Sequence, residues 1–281
     1  MNPEDAKLAI QSLYRVNLDD PLYLQYLKYL QSVIRGDLGV SLTRGRPVMD
    51  IIAYDLPWTV FVLSIAICLS FTLGILLGTF MAYKGGRIDS ISSTFLTIVS
   101  SIPQYIVGIL LIVIFIFELR WFPTGGRYSL GVRPGFTWEF ISDVLWHATL
   151  PILTYTIVST GSWAITMRGS VTSVLGEDYV LAAEARGLRK GRIMKKYVMR
   201  NAILPLFTQL LITIGYMFAG AVFIENIFAY AGIGYTLLWA LNNRDYPLLQ
   251  GIFSIITFSV IAANLFTDLI YGKLDPRVRA R

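Results

Sequence analysis

The stretch Glu177–Leu188 reads EDYVLAAEARGL, and its residue types suit mechanical docking rather than covalent chemistry. Glu177 and Asp178 come first, where acids favour the positive end of a helix dipole. Tyr179, Ala182, Ala183 and Arg186 follow at spacings of three and four, so they share one side of a short helix predicted over Gly176–Arg186. Ala182, Ala183 and Ala185, with Glu184 among them, leave that helix slim enough to sit in a partner's groove. Gly187 stands where a helix end calls for positive φ, and Leu188 continues past it. A second helix is predicted over Lys190–Ala202, with Arg192, Lys195, Lys196 and Arg200 forming a basic face suited to lipid headgroups. Pro205 then opens an apolar segment.

Other chemistries have little to work with. Cys68 is the single cysteine and His147 the single histidine. No disulfide within the chain and no multi-cysteine metal site follow from that inventory, and no metal or cofactor is expected on this chain. The sequence contains no G-x-x-x-x-G-K-[ST] loop, so ATP is not expected to bind here through a P-loop and the energy must come from another subunit. His147 reads as an interfacial structural residue, not a metal ligand or base, and Cys68 as a small packing residue in mid-helix.

The elements that must carry the docking stretch are apolar. Of 281 residues 55% are hydrophobic and 15% charged, against about 25% charged in a soluble domain. Five uncharged windows have the roughly 20 residues that a bilayer crossing needs: Trp58–Tyr83, Phe95–Phe117, Ala148–Met167, Leu204–Ile224 and Leu248–Thr267. The prediction is an all-α membrane protein with five spans. Segments between the spans alternate sides. Met1–Pro57, Glu118–His147 and Glu225–Pro247 hold 10 Lys/Arg and 12 Asp/Glu. Lys84–Thr94, Arg168–Ile203 and Asp268–Arg281 hold 14 and 6 in fewer residues. The basic set is expected inside, which puts the 168–203 loop and the C-terminus in the cytoplasm, and the net charge is not read as nucleic-acid binding.

That topology places residues 1–57 outside, with no signal pattern to carry them, and leads to the expectation of a further helix upstream of Met1. Within this segment Asp20, Pro21 and Gly36 read as N-cap, first helical residue and C′ of a helix. Its apolar stripe is Tyr23, Leu24, Leu27, Leu30 and Ile34, suited to the membrane surface or to the other spans. The domain boundary falls at 57/58. Pro103 interrupts the second span and, with Gln104, marks the candidate pathway-facing position. Asn264 and Asp268 share a face near the end of the last span. Trp58, Trp121, Trp146 and Trp239 lie near predicted interfaces.

Several segments together resemble the dipeptide/oligopeptide (peptide/nickel) branch of ABC importer permeases. They are the EAA-like loop above, DDPLYLQYLKYLQSVIRGDLGVSL (Asp19–Leu42), SIPQYIVG (Ser101–Gly108), WHATLPI (Trp146–Ile152), ENIFAYAGIG (Glu225–Gly234), RDYP (Arg244–Pro247) and NLFTDLIYGKLDPR (Asn264–Arg277). The resemblance implies a transmembrane bundle of the type I ABC importer permease kind, here without the usual first helix. It implies that residues 168–203 are the coupling loop, in which Glu177, Asp178, Tyr179, Ala182, Ala183, Glu184, Ala185, Gly187 and Leu188 meet an ATPase. Arg192, Lys196 and Pro205 would support it. Implied partners are a second, homologous permease subunit as a heterodimer, two cytoplasmic ATPases that bind ATP and Mg, an extracytoplasmic solute-binding protein and membrane lipid. The implied cargo is di- or oligopeptides, with oligosaccharides or nickel chelates as alternatives. The implied location is the cell membrane of a prokaryote. A secondary transporter, which would need ionisable groups at mid-membrane, and a non-transporting scaffold are the readings of a different class.

Overall fold

The computed structural model describes residues 20–274, with side chains throughout except for 215–221 and 266–274. Among the described residues ten helical elements follow one another: α1 (Leu22–Ile34), α2 (Val48–Lys84), α3 (Gly86–Ser101), α4 (Gln104–Glu118), α5 (Trp138–Leu175), α6 (Asp178–Ala185), α7 (Lys190–Ala202), α8 (Leu204–Ile227), α9 (Ile233–Asn242) and α10 (Tyr246–Leu274). The last seven residues of α4 and the middle of α7, Met194–Val198, are π-helical. Among the described residues the one isolated β-bridge pairs Val40 with Pro47.

Among the described residues three helices, α2, α5 and α10, are long and apolar enough to cross a membrane, and the bent pairs α3/α4 and α7/α8 raise the number to five. The α3/α4 pair turns through 90°. Ile102, at φ −76° and ψ 127°, is extended as the residue before a proline prefers to be, and Pro103 then caps α4. The expected interruption at Pro103 is therefore a corner, not a kink in a straight span.

The apolar window beginning at Trp58 understates α2. Its helix starts at Val48 and runs through Pro57, so the 57/58 boundary lies inside an element. The early turns are helical because Val48, Ile51 and Ile52 are buried against Ile233 and Ala240 of α9 and Leu248 and Ile252 of α10. Packing, not hydropathy, sets this end.

The bundle is built around α2 against α5. Gly74 and Gly78, four apart on α2, let the two backbones touch: a Cβ on Gly74 would overlap the Cβ of Trp163, and one on Gly78 the carbonyl of Ala164. Small residues at this spacing supply van der Waals contact, which is what holds helices together where lipid replaces water. Val62, Leu63 and Ala66 of α2 continue the contact toward Ala148, Leu150 and Ile152 of α5. Cys68 points away from this core and is exposed, contrary to its expected packing role.

The α1 helix forms where its stripe predicts, one residue out of register at the start. Pro21 is the N-cap, and the Asp20 carboxylate instead accepts from Lys28 Nζ at 2.5 Å. Gly36 ends the helix at φ +80°. Leu27 and Ile34 of the stripe are exposed, while Tyr29 OH lies 3.5 Å from Ser254 Oγ of α10. Residues 1–19, the C-terminal 275–281 and the Asp268 side chain, on which the pairing with Asn264 rests, lie outside the described residues.

Candidate functional site: the α6–α7 elbow

After α5 ends, Gly176 and an extended Glu177 (φ −75°, ψ 142°) lead into α6. Glu177 is the N-cap by backbone geometry and makes no side-chain capping bond. At the other end Gly187 takes φ +72°. Its N–H donates to Glu184 O at 2.8 Å, and the N–H of Leu188 reaches back to Ala183 O at 3.3 Å. This bond pair is a Schellman motif, and Leu188 adds the apolar contact that accompanies it. The predicted C′ role of Gly187 is thus realised, and it fixes the angle between α6 and α7.

The elbow is seated on the bundle by its own core. Val180 and Ala183 of α6, Ile193, Val198 and Ala202 of α7, Leu206 of α8 and Met167 and Val171 of α5 are all buried in one cluster. Ser170 Oγ donates to Ala202 O at 2.7 Å, and Asn201 Nδ2 donates to Tyr179 OH at 2.8 Å. Ala183, at 3% exposure, faces this chain's own core and cannot contribute to a docking face, because positions 180 and 183 together make the buried side of α6. The exposed side carries Asp178, Tyr179, Leu181, Ala182, Glu184 and Ala185, followed by Arg186. Leu181 is 52% exposed, an apolar residue in open view on a charged loop.

Arg192, Lys195, Lys196 and Arg200 are exposed together, as the basic face requires. The π-helical turn between them lets Ile193 and Val198, five apart, both point inward. Pro205 lies in the first turn of α8, where its missing N–H costs nothing. Behind the elbow Arg168 Nη2 donates to Asp89 Oδ2 at 2.6 Å, with Nε on the other oxygen, tying α5 to α3. Pro103 and Gln104 sit far along the chain at the α3/α4 corner, Pro103 exposed and Gln104 half-buried.

The opposite end of the bundle holds a group that sequence reasoning missed: the buried acids Asp55, Glu225 and Asp245, and the buried Arg127. Arg127 pairs with Asp55, donates through Nε to Ala231 O and lies 4.7 Å from the Tyr54 ring and 5.3 Å from Trp58. Thr236 Oγ1 donates to Asp55 at 2.5 Å. Arg44, 3.7 Å from the same carboxylate, stacks on Trp239 at 4.4 Å. Trp58 and Trp239 are therefore partners for arginine, while Trp121 and Trp146 are about half exposed. Glu225 accepts from Thr59 Oγ1 at 2.5 Å and from the N–H groups of Gly234 and Tyr235 at 2.8 and 3.0 Å. Asp245 accepts from the hydroxyls of Ser41 and Thr43 at 2.5 and 2.6 Å and from the N–H of Leu42 and of Thr43. Burial alone would raise the Asp245 pKa; these hydrogen bonds outweigh it and hold the carboxyl below the usual carboxylate range. Glu225 and Asp245 stand in ENIFAYAGIG and RDYP, stretches that read as loops between spans.

An apolar bundle, with a rigid two-helix elbow at one end and a polar interlock at the other, matches a described family. Residues 74–280 match the family "Binding-protein-dependent transport system inner membrane component". A probable peptide ABC transporter permease of Sinorhizobium fredii is 33% identical over 267 residues, covering 94% of this chain and 82% of that protein. The chain belongs to this family. It is 31% identical to the oligopeptide transport system permease AppB of Bacillus subtilis, over 95% of this chain and 84% of that one. It is 32% identical to the dipeptide transport system permease DppB of Escherichia coli, over 96% and 84%. In fold it is similar to the inward-facing MetNI methionine ABC transporter, with a TM-score of 0.62 at 15% identity, covering 81% of this chain and 97% of that one. The chain is thus an ABC permease, a membrane subunit of a transporter, and its described residues form a helical bundle, as the spans predict.

Proposed function

We propose that this chain is the permease subunit through which an ATP-driven importer passes peptides across a prokaryotic cell membrane. The observation that carries the reading is the elbow: an exposed, slim α6 face held at a fixed angle by the Gly187 Schellman motif and seated on the bundle by Val180 and Ala183. Such a part transmits a push as a lever and has no catalytic group of its own. The push comes from two ATPase subunits that bind ATP and Mg and meet Asp178, Tyr179, Leu181, Ala182 and Ala185. The basic face of α7 rests on headgroups of the same, cytoplasmic side, together with the C-terminus. A solute-binding protein delivers cargo at the opposite face, and a homologous permease completes the pathway, with Pro103 and Gln104 at its wall.

Peptide is favoured as cargo because the relatives described above are named for peptides, oligopeptides or dipeptides. The test is reconstitution of the chain with its partner subunits in proteoliposomes. Labelled di- and oligopeptides should accumulate only with ATP and binding protein. Accumulation of an oligosaccharide or a nickel chelate in place of peptide would refute the cargo, and accumulation without ATP would refute the mechanism.

A further inference from the structure

A cavity of about 570 Å³ opens beside the first turns of α5, at the end of the bundle away from the elbow. Its walls include Arg120, Trp121, Glu139, Asp143, Trp146 and His147. Glu139, Asp143 and His147 recur every four residues, so they line one face of α5. The polar groups are not consumed by the fold. Among the described residues Glu139 and Arg120 have no side-chain partner. Asp143 accepts from Ser129 N at 2.6 Å and Ser129 Oγ at 2.8 Å, which leaves lone pairs on both oxygens. The His147 side chain is 4% exposed. Its Nδ1 lies 2.8 Å from Asp143 O, and a carbonyl only accepts, so Nδ1 carries the proton. No described residue bonds to Nε2.

The cavity therefore offers two carboxylates one helical turn apart, Glu139 and Asp143, and one cationic donor, Arg120. A primary ammonium has three N–H groups to give. Its height in the bilayer identifies the source. The α5 helix has 38 residues, about 57 Å at 1.5 Å per residue, against roughly 30 Å of hydrocarbon. With Ala148–Met167 in the core, Asp143 stands about 7 Å above its edge, in the headgroup layer. Trp121 and Trp146, 56% and 52% exposed, frame the mouth as interfacial aromatics do.

We propose that this cavity binds the headgroup of an aminophospholipid, its ammonium on Glu139 and Asp143, one helical turn apart, and its phosphate on Arg120. The shared chemistry, a primary ammonium a few bonds from an anion, also occurs in a peptide, so the experiment separates the two. Native mass spectrometry of the full chain in detergent, with phosphatidylethanolamine, phosphatidylcholine and phosphatidylglycerol at equal concentration, reads the retained lipid. Phosphatidylethanolamine should be retained about tenfold over the other two, the worth of one charged hydrogen bond set. Choline has no N–H, and the glycerol headgroup has no cation. Glu139→Gln and Arg120→Gln, both at exposed positions with no partner to lose, should each erase most of that preference, while Glu118→Gln should keep it. Equal retention of the three lipids, or unchanged preference in both variants, would overturn the proposal. So would displacement of the ethanolamine lipid by a millimolar dipeptide, which would assign the cavity to cargo.

Discussion

Replacing Gly187 by valine tests whether the elbow angle matters. The residue sits at φ +72°, and a Cβ built there meets nothing within 4 Å. The penalty is therefore backbone strain without steric collision. Left-handed backbone costs a non-glycine residue about 1–2 kcal/mol, and a β-branched residue is at the upper end. Relaxing that strain would move Gly187 toward right-handed φ and break the bonds to Glu184 O and Ala183 O, each worth about 1 kcal/mol net. Either way the elbow loses about 2 kcal/mol of preference for its angle, roughly a thirtyfold loss in the population of the working geometry. The α2–α5 core is untouched, so insertion and assembly should persist. ATP-driven uptake by membrane vesicles should fall at least tenfold, and co-purification of the ATPase should weaken. Gly187→Asn, which tolerates the same φ, should retain most of the activity. Wild-type uptake by Gly187→Val would refute the lever reasoning, and loss of insertion would mean that the turn serves folding.

Further outcomes follow from the same geometry. Ala183→Trp overfills the chain's own core and should destabilise the elbow by about 1–3 kcal/mol, visible as a lower melting temperature, whereas the exposed Ala182→Trp should keep the melting temperature and lose ATPase binding. Lys196→Ala, on the exposed basic face, should change uptake less than twofold in the vesicle assay. The Asp245 carboxyl, lowered in the folded protein, contributes stability above its unfolded pKa of about 3.9 and loses it as pH falls through the folded value. Thermal melts should therefore show an acid-dependent step in the wild type that is absent in Asp245→Asn.

The elbow was legible because its determinants are local. Glycine at a fixed offset from an alanine-rich turn specifies a Schellman end whatever surrounds it. The inward direction of Ala183 was not legible, because 182 and 183 both fit a docking stripe until Val180 fixes which side is buried. The start of α2 was hidden for a related reason: Val48–Asp55 owes its helix to α9 and α10, about 200 residues away in sequence. The interlock was the largest omission. Asp55, Arg127, Glu225 and Asp245 look like solvated loop charges, and their partners stand 72, 166 and 204 residues away. Only the folded chain brings together the donors that make their burial tolerable.

In the proposed mechanism α6 hands the ATPase's motion to this bundle. In a Cys68→Ser background, Leu181→Cys and Ala185→Cys occupy the exposed face of α6, and Val180→Cys occupies its buried face. Oxidative cross-linking in assembled complexes should join the first two to a cysteine-bearing ATPase and leave the third unlinked, with the yield changing between ATP-bound and nucleotide-free states. Equal cross-linking of all three positions, or none from the exposed pair while the complex still imports peptide, would contradict the account.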